Sequence, residues 1–258
     1  MATTDRRRGQ ARAHHFAAFR WTATVLAILL SATPAFAGPP FVTDDPEPTD
    51  FGHWEIYSFV AGSHIASGTE GEAGLDINYG VATDVQITAE MPVDFASHEG
   101  VKPGDLAVAV KYRFVRQAEG SLAPDIAFFP GIVTPTTSHP IGMDRVNVVL
   151  PVWAQKDLGP WSFFGGASYD IHPGLANRNF WLSGFGVSRA INDHLSFGGE
   201  IYRQTADARN TEAFAGLNLG VIYKMTNHWS VLASAGPGIE NPRQGGKYDF
   251  YFSLEASY

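Results

Sequence analysis

Glu72-Ala73-Gly74-Leu75-Asp76-Ile77-Asn78-Tyr79 alternates without a break: Ala73, Leu75, Ile77 and Tyr79 fall on one parity, Glu72, Gly74, Asp76 and Asn78 on the other. A period of two sends successive side chains to opposite faces of an extended chain, so this stretch predicts a strand with one apolar and one polar face. The pattern returns as Val85, Ile87, Ala89, Met91 and Val93 against Gln86, Thr88 and Glu90. It returns again as Leu106, Val108, Val110, Tyr112 and Phe114 against Asp105, Lys111 and Arg113. Each run is about ten residues long, which at a tilt near 45° crosses the ~25 Å apolar band of a membrane barrel.

Outward from these three runs, further strands are expected over 54–61, 125–134, 146–155, 161–171, 180–189, 195–204, 213–224, 229–238 and 248–258, twelve in all. An even number suits an antiparallel up-and-down barrel with both chain ends on one side. The connections alternate in kind. Tight ones at 80–84, 156–160, 190–194 and 225–228 carry the Asn, Asp, Gly and Thr that turns require. Longer polar ones lie at 62–71, 94–104, 135–144, 172–179, 205–211 and 239–247. Short periplasmic turns with long external loops are the asymmetry of outer-membrane barrels; the 116–123 link is longer than its position predicts. A soluble β-sandwich would carry many Lys and Glu on its polar parity. Here that parity is rich in Gly, Ser, Asn and scattered acids, and the apolar parity ends in aromatics such as Tyr79, Tyr112, Tyr169, Tyr223 and Trp229, as in an interfacial girdle.

The chain opens differently. Arg6, Arg7, Arg8, Arg12 and Arg20 precede a short apolar run at 21–30 and then Ala35-Phe36-Ala37, the form of a secretory signal with cleavage after Ala37. Gly9-Gln10 stand where a twin-arginine signal needs an apolar pair, so Sec export is expected. The full chain has 18 Lys and Arg against 26 Asp and Glu; five of the former and one of the latter lie in the leader, leaving 13 against 25. So acidic a mature chain argues against a nucleic-acid partner. Cysteine is absent, so no disulfide holds this exported chain. The expected organisation is a signal peptide at 1–37, an N-terminal segment at 38–51 and a barrel at 52–258. Segment 38–51, rich in Pro and acids and without strand alternation, reads as a disordered periplasmic lead or, less often for such compositions, a small plug.

In the last strand Tyr248, Phe250, Phe252, Leu254, Ala256 and Tyr258 share one parity and Tyr258 ends the sequence. Phe250, Phe252, Leu254 and Tyr258 form the terminal aromatic pattern expected to engage the outer-membrane assembly machinery. In a closed barrel this strand pairs with the first, which removes an edge otherwise prone to aggregation.

Three hairpins share a local pattern: 79–87 (Tyr-Gly-Val-Ala-Thr-Asp-Val-Gln-Ile), 188–197 (Ser-Arg-Ala-Ile-Asn-Asp-His-Leu-Ser-Phe) and 223–231 (Tyr-Lys-Met-Thr-Asn-His-Trp-Ser-Val). With the opening Gly38-Pro39-Pro40-Phe41-Val42-Thr43-Asp44-Asp45-Pro46-Glu47-Pro48, the chain resembles the outer-membrane barrels grouped as transporters of the phenol-degradation meta-pathway. The resemblance spans most of the mature chain. It implies uptake of small hydrophobic or aromatic solutes and brings no catalytic residues.

On this register the inward parity carries Glu55, Glu72, Asp76, Glu90, Asp105, Asp170, Glu200, Asp249 and Glu255 against Lys111, Arg113 and Lys224, with Tyr251 also inward. Chain direction puts Glu90, Asp105, Asp170 and Asp249 toward the exterior and Arg113 and Lys224 at the periplasmic mouth. These lumen-lining residues predict an acidic vestibule favouring cations or neutral solutes over anions, unless the charges pair across the lumen and fill it. Twelve strands lie between eight, which side chains can fill, and sixteen, which leave a water channel. Inward Tyr57, Phe59, Phe129, Trp153, Phe164, Tyr202 and Tyr251 narrow the lumen further, so a narrow, selective or partly plugged channel is expected over a general porin. Outer-membrane lipid and a small solute are the expected partners.

Two other functions compete with transport. An outer-membrane hydrolase would need Ser, His and Asp neighbours at the outer rim, for which Ser138 beside His139, or Asp170 near His172, would be the material. An adhesive barrel would need longer loops than these. The histidines 53, 64, 98, 139, 172, 194 and 228 show no metal-ligand spacing, and no cofactor or catalytic residue is expected.

Overall fold

The computed structural model describes residues 40–118, 120–136 and 145–258. The expected signal segment 1–37, residues 38–39, and the Ser138-His139 pair lie outside them. The described chain forms β1 (Trp54–Ile65), β2 (Gly68–Ala82), β3 (Val85–Ala96), β4 (Gly100–Pro103), β5 (Leu106–Val115), β6 (Asp125–Phe128) and β7 (Gly131–Thr134). There follow β8 (Asn147–Leu158), β9 (Trp161–Ile171), β10 (Phe180–Asn192), β11 (Leu195–Gln204), β12 (Phe214–Lys224), β13 (Trp229–Glu240), the one-turn helix α1 (Pro242–Gly245) and β14 (Tyr248–Ser257).

These fourteen segments build twelve staves. Strands β4 and β5 both pair with β3, and β6 and β7 both lie between β5 and β8, so each couple is one stave interrupted once. The second interruption is Phe129-Pro130. Proline cannot donate to the ladder, yet the ladder runs on through its neighbours: Phe129 N–H donates to the Pro151 carbonyl, and the Pro130 carbonyl accepts from Val110 N–H, both at 3.0 Å. Every neighbouring pair is antiparallel. Strand β14 closes on β1 from Glu55 opposite Ser257 to His64 opposite Tyr248, and Trp54 and Tyr258 exchange backbone hydrogen bonds of 2.7 and 2.9 Å. Closure leaves no sheet edge, the only way a sheet can sit in hydrocarbon with its backbone polar groups satisfied.

The expected alternation holds around the ring. Leu75, Ile87, Met91, Val110, Phe185, Phe197, Ile201, Leu219 and Phe252 stand exposed on the outer surface. Tyr57, Trp153, Phe164, Tyr202 and the polar Gln86, Ser168, Glu200, Asn218 and Ser234 are buried inside. Such an outer face would aggregate in water and is stable against lipid. Aromatics cluster at both ends of the staves: Trp54 packs on Tyr79 at 4.4 Å between ring centres at the turn end, and Tyr169 on Trp181 at 4.9 Å at the loop end.

Two expected loops are mostly strand. Over 62–71, β1 and β2 continue to a tight turn at Ala66-Ser67, Gly62 facing Gly71 and Ser63 facing Glu70. Gly62 and Gly71 are each other's close neighbours there: a Cβ on Gly71 would lie 2.6 Å from the Gly62 Cα. In 94–104, β3 reaches Ala96 and pairs with β4. Polar composition hid both, because strand above the membrane needs no apolar face. The long 116–123 link folds back on the wall, with Lys156 donating to the Ser121 and Ala123 carbonyls and Gln117 bonding to Asp157 from both its backbone-facing amide atoms. In the tight turn before β3, Asp84 adopts φ 65°, a left-handed conformation that Asp tolerates better than most residues.

Candidate functional site

The inner half of the lumen is occupied by the chain's own residues 40–51. This segment, for which composition favoured a disordered lead, is held by side chains from six staves. At its start, Ser234 donates to the Pro40 carbonyl, and Phe41 packs on Phe164 at 5.4 Å between ring centres. Gly198 and Gly220 make room for that ring: a Cβ at either would lie 2.9 or 2.7 Å from Phe41 atoms. Next, the N–H groups of Val42 and Thr43 both donate to the Glu200 carboxylate at 2.8 Å. Glu200 is 3% exposed, so it is a buried anion satisfied by two backbone donors and by Asn218 Nδ2 at 2.9 Å. Lys111 Nζ then lies 3.1 Å from Asp44 and 3.7 Å from Asp45, and over the Phe129 ring at 4.8 Å. Arg113 reaches Glu47 at 3.7 Å. Finally Thr49 N–H donates to Gln86 Oε1 at 2.7 Å and its hydroxyl to Glu55 at 3.1 Å, before Phe51 bridges to Gly80.

The contacts explain why the segment sits here rather than in the wall or in solvent. Its prolines lack N–H groups that a strand ladder would need, and its acids meet Lys111, whose ion pairs are with Asp44 and Asp45, and add Glu47 to the Asp84 and Asp125 carboxylates around Arg113. Burial raises the Asp45 carboxyl well above the usual range, with the Lys111 charge acting in the opposite direction. Thr43, Pro46 and Thr49 are fully or almost fully buried. Gly184 is part of the fit, since any side chain there would overlap Thr43 Oγ1. Gly184→Val should therefore expel the segment while leaving the barrel ladder intact. The expected outcome is protease cleavage within 40–51 in a protein that keeps its heat-modifiable gel shift.

Above this plug a cavity of about 800 Å³ opens at the loop end. Its floor is Pro40, Phe41 and Val42, and its wall carries Glu72, Asp76, Glu90, Asp249 and Tyr251. The other inward charges lie elsewhere. Asp105 sits at the β4–β5 interruption and accepts from Thr136 N–H at 3.0 Å; it does not line this cavity. Asp170 accepts from Ser168 on the far wall, and His172 stands edge-on to Phe180 at 6.1 Å. Glu255 accepts from Ser257 at 2.7 Å in the row of Tyr57. Lys224 ends β12 at the turn end, where its N–H donates to the His194 carbonyl at 2.8 Å. Arg113 joins Arg116 on Asp84 at 2.9 and 2.6 Å. Against a desolvation penalty, hydrogen bonds from Arg116 and Arg113 hold the Asp84 carboxyl below its usual range, so this latch survives mild acid and opens only as pH falls below that range. Phe252 faces outward with Leu254, Phe250 sits at the outer end of β14, and Tyr258 closes the seam against His228 and Trp229.

Fold and lumen together define a closed, twelve-stranded transmembrane barrel whose inner half is filled by its own N-terminal segment. No protein-family model and no curated protein matches the chain. Among solved structures it is similar to an outer-membrane channel from Pseudomonas putida F1, with 14% identity, a TM-score of 0.62 and coverage of 86% of this chain and 99% of that one. It is also similar to the NanC porin, with 14% identity, a TM-score of 0.54 and coverage of 79% and 98%. At these identities the likeness is one of fold.

Proposed function

We propose that this chain is a Sec-exported outer-membrane channel for small solutes, with the loop end outside and the turn end in the periplasm. The observation that carries this reading is the acidic cavity of about 800 Å³, open at the loop end and floored by the docked segment 40–51. A structural barrel has no use for such a recess; a channel uses it to concentrate solute above a constriction. The two similar folds are an outer-membrane channel and a porin, which supports the same reading. The aromatic floor supports small hydrophobic or aromatic solutes, as does the resemblance to barrels of the phenol-degradation meta-pathway. Assembly would proceed through recognition of strand β14 with its aromatics Phe250 and Phe252.

The test is planar-bilayer recording on the folded mature chain. Small cation-preferring steps are expected, since Asp76 and Glu90 face each other across β2 and β3 and no Lys or Arg among the described residues forms an ion pair with either. The double change Asp76→Asn and Glu90→Gln should shift the reversal potential in a salt gradient toward zero. A folded barrel without conductance, or with preference for anions, would overturn the reading.

A further inference from the structure

We propose that the outer cavity is a binding site for an organic monocation with an aromatic or apolar body, an arylalkylammonium being the simplest case. The inference rests on the channel reading in that solute must reach the lumen from the loop end.

Three independent features converge on this chemistry. The first is an excess of negative charge. Glu72 faces Asp94 and Asp76 faces Glu90 across the same strand pair, and like charges directly opposed on a sheet destabilise it. Lys102, on the cavity rim, is already paired with Glu99 at 2.9 Å, and Lys111 below is held by Asp44 and Asp45. A cation entering from solution is the missing partner. The second feature is the apolar surface beside the acids. Phe59 and Tyr251 lie parallel, 6.3 Å apart between ring centres, and Phe41 forms part of the floor. A hydrated metal ion has no use for such faces, whereas the body of an organic cation covers them and its charge is attracted to ring faces.

The third feature is an unmatched acceptor. Asn218 is 3% exposed and lines the cavity; its Nδ2 is spent on Glu200, and its Oδ1 is buried with no hydrogen-bond partner among the described residues. A buried acceptor left unpaired is costly, and a turn of the Asn218 side chain toward the cavity would bring its Oδ1 to an N–H donor on a ligand. Acids, rings and an amide oxygen together describe a donor-bearing cation with an apolar body. A neutral phenol would leave the carboxylates unpaired, and an anion would be repelled.

The experiment is calorimetric titration of the full mature chain, folded in detergent, with phenethylammonium, phenethyl alcohol, phenylacetate and tetramethylammonium. Phenethylammonium should bind about tenfold or more tightly than phenethyl alcohol, with no detectable phenylacetate binding and only weak tetramethylammonium binding. Asp76→Asn with Glu90→Gln should abolish the preference over the alcohol. The ligand series on the unaltered protein decides the matter even if that variant fails to fold. Equal binding of the ammonium and the alcohol, or tighter binding of phenylacetate, would overturn the proposal. Titration needs no open pore, so binding without conductance would sink the channel reading alone, and conductance without ammonium preference would sink this inference alone.

Discussion

Deletion of residues 40–51 from the mature chain is expected to raise single-channel conductance about threefold or more and to erase most of its discrimination by solute size. The segment fills the inner lumen with close-packed groups: Phe41 against Phe164, Thr43 over Gly184, Pro46 fully buried and Thr49 on Gln86. None of the segment's own strandless residues belongs to the wall, whose ladder closes independently through β1 and β14. Removing them leaves a hydrated lumen lined by Lys111, Arg113, Gln86 and Glu200, groups that water can solvate. Folding is checked by heat-modifiable mobility and conductance by bilayer recording. A folded deletion variant with unchanged step size would show that the segment is not the constriction.

The second large effect is expected from Lys111→Met. Lys111 is 5% exposed and sits beside two carboxylates of the plug, Asp44 and Asp45. Removing one partner of a buried charge cluster typically costs about 3–5 kcal/mol, because the remaining anions stay desolvated without compensation. Most of that loss should fall on docking, since the wall around Lys111 is held by its ladder. Amide exchange at Thr43 and Thr49 should then accelerate roughly a hundredfold or more, with exchange in the strands little changed. Adding Asp44→Asn and Asp45→Asn to Lys111→Met should restore much of the protection. If the triple variant exchanges as fast as the single one, the ion pairs are not what holds the segment.

The wall was legible because membrane strands obey one strong rule. Outward residues must be apolar for about ten positions, so the alternation at 72–79, 85–93 and 106–114 announced staves β2, β3 and β5, and the tight turns confirmed the register. Legibility failed where that rule lapses. Beyond the hydrocarbon, the strand pairing of Ser63 with Glu70 has no apolar face and read as loop. Inside, the inward parity of Lys111, Glu200 and Asn218 followed from the pattern, but their partners did not. Val42 and Thr43 meet Glu200 across 158 and 157 residues of sequence, and no local spacing records such a contact. The one available signal was chemical: three inward cations, Lys111, Arg113 and Lys224, among many acids, and an acid-rich segment ahead of the first strand.

The docking of residues 40–51 also dictates an order of events. Their contacts reach β5, β10, β11 and β13, so the socket exists only once the staves farthest along the chain have joined. The segment that precedes every strand in sequence is therefore the last to find its place. It works as a keystone: a barrel with its seam unclosed would leave this segment dangling and open to proteases, and a finished barrel conceals it.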